Sequence, residues 1–186
     1  RIIREIGMRP SRHLPGRARW SRRGVNVADL RDMGDEMCAG KFLPPLSDEV
    51  LFLKPGESPE KLLRRVHHRL RASISKGLPP VLSIRRYALR GKPAQWTVID
   101  AHFVTLTSLP RGLDRKARSF PVTYLDPWGA RRCEGIIRIP DIPALPDAKG
   151  RPSCLEAAFP RSKVGGGQLR KGEQSLLAVS AAIGRW

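Results

Sequence analysis

Two side chains able to exchange protons stand in strands rich in apolar residues. His102 lies near the start of "WTVIDAHFVTLTSLP", and Asp126 ends "FPVTYLDPWG" just before Pro127 and Trp128. If the basic loop between the two runs turns near Asp114, the strands pair antiparallel and His102 falls opposite Asp126. His102, Val104 and Leu106 then share one face of the sheet with Phe120, Val122, Tyr124 and Asp126, because side chains alternate along a strand. A carboxylate behind an imidazole fixes its tautomer and stabilises the imidazolium formed on proton uptake. That is half of a nucleophile, base and orienter arrangement. The bland alternative is a satisfied core histidine beside an Asp-Pro turn.

The remaining residue types narrow the chemistry. The four histidines include an adjacent pair, His67 and His68, on a basic helical stretch. The three cysteines, Cys38, Cys133 and Cys154, are widely spaced and form no CxxC pair, which argues against a structural zinc site or a disulfide framework. Nothing in the chain calls for a metal or another cofactor. Of the three, only Cys38 precedes His102. It follows "ADLRDMGDEM", towards the end of a short helix, where the dipole and neighbouring Asp35 and Glu36 oppose negative charge. Cys133 and Cys154 read as small packing residues.

These residues need elements to hold them. Asn26 caps a short helix carrying Val27, Leu30, Met33 and Met37. Ser58-Pro59-Glu60 opens a longer one, with Leu62, Leu63, Val66, Leu70 and Ile74 on one stripe and an Arg-rich opposite face. Strands are expected over 81–89, 96–107, 119–126 and about 131–139. Residues 140–163, rich in proline, read as a wandering connection. The apolar run from Leu176 to Ile183 fits a strand or a helix equally well.

The 186 residues carry 35 Lys and Arg against 17 Asp and Glu, a formal charge of +18. Such a surface suits weak, sequence-independent binding of nucleic acid or another anionic polymer, or reflects an arginine-biased composition alone. No apolar run reaches the ~20 residues of a membrane span. The compartment is not indicated.

"GLPPVLSI" after a helix, then "IDAHFVTLTSL", then "VTYLDPWG" resembles the second half of papain-like cysteine peptidases, in the bacterial branch similar to the bacteriocin-leader (double-glycine) peptidases. The match covers roughly residues 58–139. The resemblance implies an α+β, papain-like core: one long amphipathic helix packed on a mostly antiparallel sheet, here with a C-terminal extension. The division would be a core over 1–139 and an extension over 140–186. It makes His102 the general base, Asp126 its orienter and Trp128 a shield from water, with a peptide or protein as substrate.

The family also needs a Cys at a helix N-terminus, preceded by an oxyanion-hole Gln, whereas the first Gln here is Gln95. RIIREIG is similar to the tail of the family's nucleophile helix, which would place the Cys before Arg1. Three versions stay open: an active peptidase truncated in this chain, a pseudo-peptidase, and an enzyme using Cys38. A transglutaminase-like acyltransferase, an anionic-polymer binding module and an interaction scaffold are the competing readings.

Overall fold

The structure, a computed structural model, describes residues 3–22 and 24–186. After a single helical turn at Ile3–Gly7, a two-stranded ribbon forms from β1 (Trp20–Ser21) and β2 (Gly24–Val25). RIIREIG, expected as a helix tail, is helical over Ile3–Gly7, while Arg1 and Ile2 lie outside the described residues. Helix α1 (Val27–Cys38) starts where Asn26 predicts, its side chain accepting a hydrogen bond from Asp29 N at 2.8 Å. Then follow β3 (Ser47–Val50), α2 (Pro59–Ser75), β4 (Val81–Arg90), β5 (Gln95–Ser108), β6 (Ser119–Asp126) and β7 (Arg131–Arg138). The chain closes with β8 (Leu155–Ala158) and β9 (Ser175–Gly184).

The strands do not form an open sheet with a helix laid on it. They run antiparallel in the order β9, β4, β5, β6, β7, β8, and β8 returns to β9 through Leu155 opposite Val179 and Glu156 opposite Ala178. Six strands thus close a barrel, with β3 added to the far end of β9. The expectation of a papain-like α+β core is overturned: helix is only 20% of the chain, and the closed barrel is the dominant architecture. The expected C-terminal extension is overturned with it, because residues 140–186 supply β8 and β9, the strands that close the ring.

The core follows from alternation. Leu82 and Ile84 of β4, Val104 and Leu106 of β5, Phe120, Val122 and Tyr124 of β6, and Cys133 and Ile137 of β7 point into one buried cluster. Leu155 and Ala157 of β8 and Leu177 and Val179 of β9 complete it. Close approach at one point requires a glycine: a Cβ on Gly135 would stand 2.4 Å from the Phe159 ring. Phe159 in turn stacks on Tyr124 at 4.2 Å.

Helix α2 is the expected amphipathic one, and Leu62, Leu63, Val66 and Leu70 sink its stripe into the same cluster. Its contacts show which end of the barrel it covers. His67 Nε2 meets the Pro110 carbonyl at 3.0 Å, just past β5, and its ring meets Phe120 edge-on near the start of β6. Ser73 Oγ accepts from Arg185 N, just past β9. The opposite end, where β5 begins and β6 ends, is the end that holds His102 and Asp126.

Candidate functional site

His102 lies directly opposite Ile84 in the β4–β5 ladder and shares the inward face of β5 with Val104 and Leu106. Asp126 is the last residue of β6, on the inward face with Val122 and Tyr124. The two side chains meet: His102 Nε2 donates to Asp126 Oδ1 at 2.8 Å, and each side chain is only 10% exposed.

The register that brings them together differs from the expected one. Thr105 stands opposite Leu125 and Leu106 opposite Tyr124, so the pairing is slipped by two residues from that in which His102 faces Asp126. A slip of two preserves the face while a slip of one would have lost it. Asp126 therefore reaches His102 along a diagonal, as close diagonal neighbours on one face can. The position across from His102 belongs instead to the turn beyond β6, and Trp128 occupies it. The Trp128 ring stacks on the imidazole with centroids 4.3 Å apart and planes 24° apart. Its outer face is left to solvent, with the residue 57% exposed.

The turn also fixes the carboxylate. Asp126 Oδ1 accepts a second hydrogen bond, from Trp128 N at 2.9 Å, the self-bonding that makes Asp a turn former. One oxygen thereby ties the imidazole and the backbone of its covering residue into a single unit. Asp-Pro-Trp carries this signal in the sequence, since an Asp two residues before a free N–H is an Asx turn in waiting. The imidazole's other nitrogen, Nδ1, has no hydrogen-bond partner among the described residues and keeps some access to solvent.

Two further polar groups stand beside the pair. Asp100 and Arg86 face each other two residues along the ladder from His102 and Ile84. Asp100 Oδ2 accepts from Gly165 N at 2.8 Å and Arg86 Nε donates to the Val164 carbonyl at 3.0 Å, which anchors the loop after β8 over this end of the barrel. Sequence reasoning misses them, because nothing ties Gly165 to residues 65 or more positions away. The Tyr124 hydroxyl is fully buried with no hydrogen-bond partner, and burial holds its titration well above that of an ordinary phenol. A cavity of about 940 Å³ is bordered by Arg86, Val122, Phe159 and Leu177 and does not include His102 or Asp126.

The cysteines do not join the pair. Cys38 is half-buried at the last position of α1, and that helix packs on β3 and on β9, whose shared ladder lies at the far end of the barrel. Cys133 faces Tyr124, which faces Leu106, so it sits two strands over and four residues further along than His102. At roughly 3.3 Å per residue that is about 13 Å along the strand direction alone. Cys154 belongs to a separate cluster outside the barrel wall with Tyr87, Leu176 and Ala178, where burial pushes its thiol up to about 12. The imidazole's hydrogen bond goes to Asp126 and to none of the three thiols.

Burial also sets thiol reactivity, since the thiolate is the reacting species. Iodoacetamide at pH 8 should alkylate one thiol per native chain, Cys38, with Cys133 and Cys154 reacting only after denaturation. Peptide mapping by mass spectrometry reads this directly, and modification of Cys154 in the native state would contradict the packing. Among the described residues, no group of three or more His, Cys, Asp or Glu side chains is placed to hold a metal ion. None of their helices is long and apolar enough to cross a membrane.

Comparison with known proteins adds no relative to this geometry: no family model, no curated protein and no solved structure matches the chain.

Proposed function

We propose that His102 and Asp126 are the base and orienter of an acyl-transfer centre of the cysteine-peptidase kind, acting on peptide or other amide bonds. One observation carries the reading. The imidazole is held from behind by a carboxylate at 2.8 Å, is covered on one face by Trp128, and presents an unpaired Nδ1. The imidazole is locked at one nitrogen and free at the other, and it differs from His67, whose Nε2 meets only a backbone carbonyl, in having a carboxylate as its partner.

The chemistry follows from which nitrogen is locked. Nε2–H stays bonded to Asp126, so the ring is the tautomer with a lone pair on Nδ1. Nδ1 takes the proton as a nucleophile attacks the carbonyl, and the carboxylate stabilises the resulting imidazolium. The same proton then passes to the leaving amine as the C–N bond breaks. With a thiol nucleophile, a thioester forms, and water attacks it in a second step with His102 again the base. Because none of the three cysteines lies beside Nδ1, this chain is expected to show no thiol-dependent amide hydrolysis. Labelling of Cys38 by an electrophilic peptide probe, lost on His102→Ala, would reverse that assignment.

The base itself is testable without a resident nucleophile. An activated ester supplies the acyl group and added 2-mercaptoethanol supplies the thiol. The native chain should accelerate transfer about tenfold or more over His102→Ala. A positioned general base contributes about 10²–10⁴-fold, and a freely diffusing thiol forgoes part of that. Equal rates for the native chain and His102→Ala would sink the reading.

A further inference from the structure

The charge on α2 is divided between two faces that the fold treats differently. On one face Arg65 binds Glu57 at 2.8 Å and also reaches Glu49, while Arg69 binds Glu49 at 3.1 Å. Those arginines are consumed in fastening the helix to β3 and the turn after it. On the other face Lys61, Arg64, His68 and Arg71 follow one another at three- and four-residue spacing. Among the described residues, Lys61, Arg64 and Arg71 have no ion pair. That spacing makes a single stripe about 15 Å long, at ~1.5 Å per residue.

The loop between β5 and β6 extends the stripe. Arg64 donates to the Arg115 carbonyl, and His67 meets the Pro110 carbonyl, so the loop is tied to the helix at two points. It contributes Arg111, Arg115 and Lys116, all exposed and all without an ion pair among the described residues. Two acids lie nearby. Asp114 spends an oxygen on Lys116 N in the loop turn, and Glu60 is held by Arg118 at 3.7 Å. Six unpaired cations on one joined face repel one another, and a fold that neutralises the next face with Glu49 and Glu57 leaves this one open.

We propose that this face, α2 with the β5–β6 loop, docks double-stranded nucleic acid through its phosphates. A polyphosphate backbone supplies evenly spaced negative charge along a stripe of this length, and its binding releases counterions. The patch carries no Phe, Tyr or Trp among its exposed residues, so the broad base-stacking platform that single strands use is missing. It carries no exposed large apolar side chain either, which an interfacial membrane contact would need. The face lies at the α2-covered end of the barrel, opposite His102 and Asp126, and stands independently of the reading proposed for them.

The test is fluorescence anisotropy with a labelled 20-base-pair duplex over a potassium chloride series. It uses the full chain and two triple variants of equal charge. Arg71→Ser, Arg115→Ser and Lys116→Ser alter the patch, while Lys41→Ser, Lys149→Ser and Lys171→Ser remove the same charge from exposed sites elsewhere. Arg71 is half-buried and the other five positions are exposed, and circular dichroism verifies that both variants fold. The patch variant should bind at least tenfold more weakly, with the log–log salt slope falling by about 0.9 for each phosphate that is no longer neutralised. The control should stay within about threefold of the native chain. Equal weakening in both variants would overturn the proposal. So would tighter binding of a single strand, or retention on phosphatidylserine vesicles without duplex binding.

Discussion

Deleting residues 175–186 should abolish folding outright: no cooperative urea transition, collapsed amide dispersion in NMR, and rapid proteolysis. β9 is bonded on one edge to β4 and on the other to β3 and β8, so its loss opens the barrel and leaves the long edge of β4 and the short edges of β3 and β8 unpaired. The energetics agree. Leu176, Leu177, Val179 and Ile183 are all buried, and burying each such side chain contributes about 1.5–3 kcal/mol. Their sum, on the order of 6–12 kcal/mol, matches the whole net stability of an ordinary domain, about 5–15 kcal/mol. A truncated chain that still unfolds cooperatively would mean that the barrel closes without β9.

β9 also marks the limit of what the residues alone reveal. The strands that hold the candidate site are legible, because β5 and β6 alternate: Val104 and Leu106, then Phe120, Val122 and Tyr124, with polar neighbours between. So is α2, whose cap, first-turn proline and apolar stripe all agree. β9 is not. Leu177 and Val179 face the barrel core, while Leu176 and Ala178 face a second cluster formed with Tyr87 and Cys154 outside the wall. A strand covered on both sides has no alternation to show, and an Ala-rich run suits a helix as well. β8 hides for a related reason, since Leu-Glu-Ala-Ala favours helix locally and is a strand only because β7 and β9 flank it.

Barrel closure therefore depends on two segments whose local signals are silent, and the architecture implied by the family resemblance fails there. The candidate pair survives because it rests on something more local. A face is preserved under any even slip of register, so His102 and Asp126 are bound to share one even though the expected pairing is two residues out. The stacking of Trp128 comes from that same slip.

The pair's own weight is measured by replacing Asp126 in two ways. Asp126→Asn keeps an oxygen for both donors, His102 Nε2–H and Trp128 N–H, and should leave stability within about 1 kcal/mol of native. Asp126→Ala strands both donors in a nearly closed site. An unsatisfied buried donor costs about 1–3 kcal/mol, so a loss of about 2–6 kcal/mol is expected from urea midpoints. In the thiol-transfer assay the two variants should separate differently. Ala loses both orientation and charge and should fall to the level of His102→Ala. Asn keeps orientation through Trp128 N but loses the negative charge that stabilises an imidazolium, and should fall between the two. A graded loss of rate across native, Asn and Ala, with stability lost only in Ala, assigns Asp126 a share in proton transfer. If stability follows that pattern while the rates of all three coincide, His102 and Asp126 are a packing device of the barrel end and nothing more.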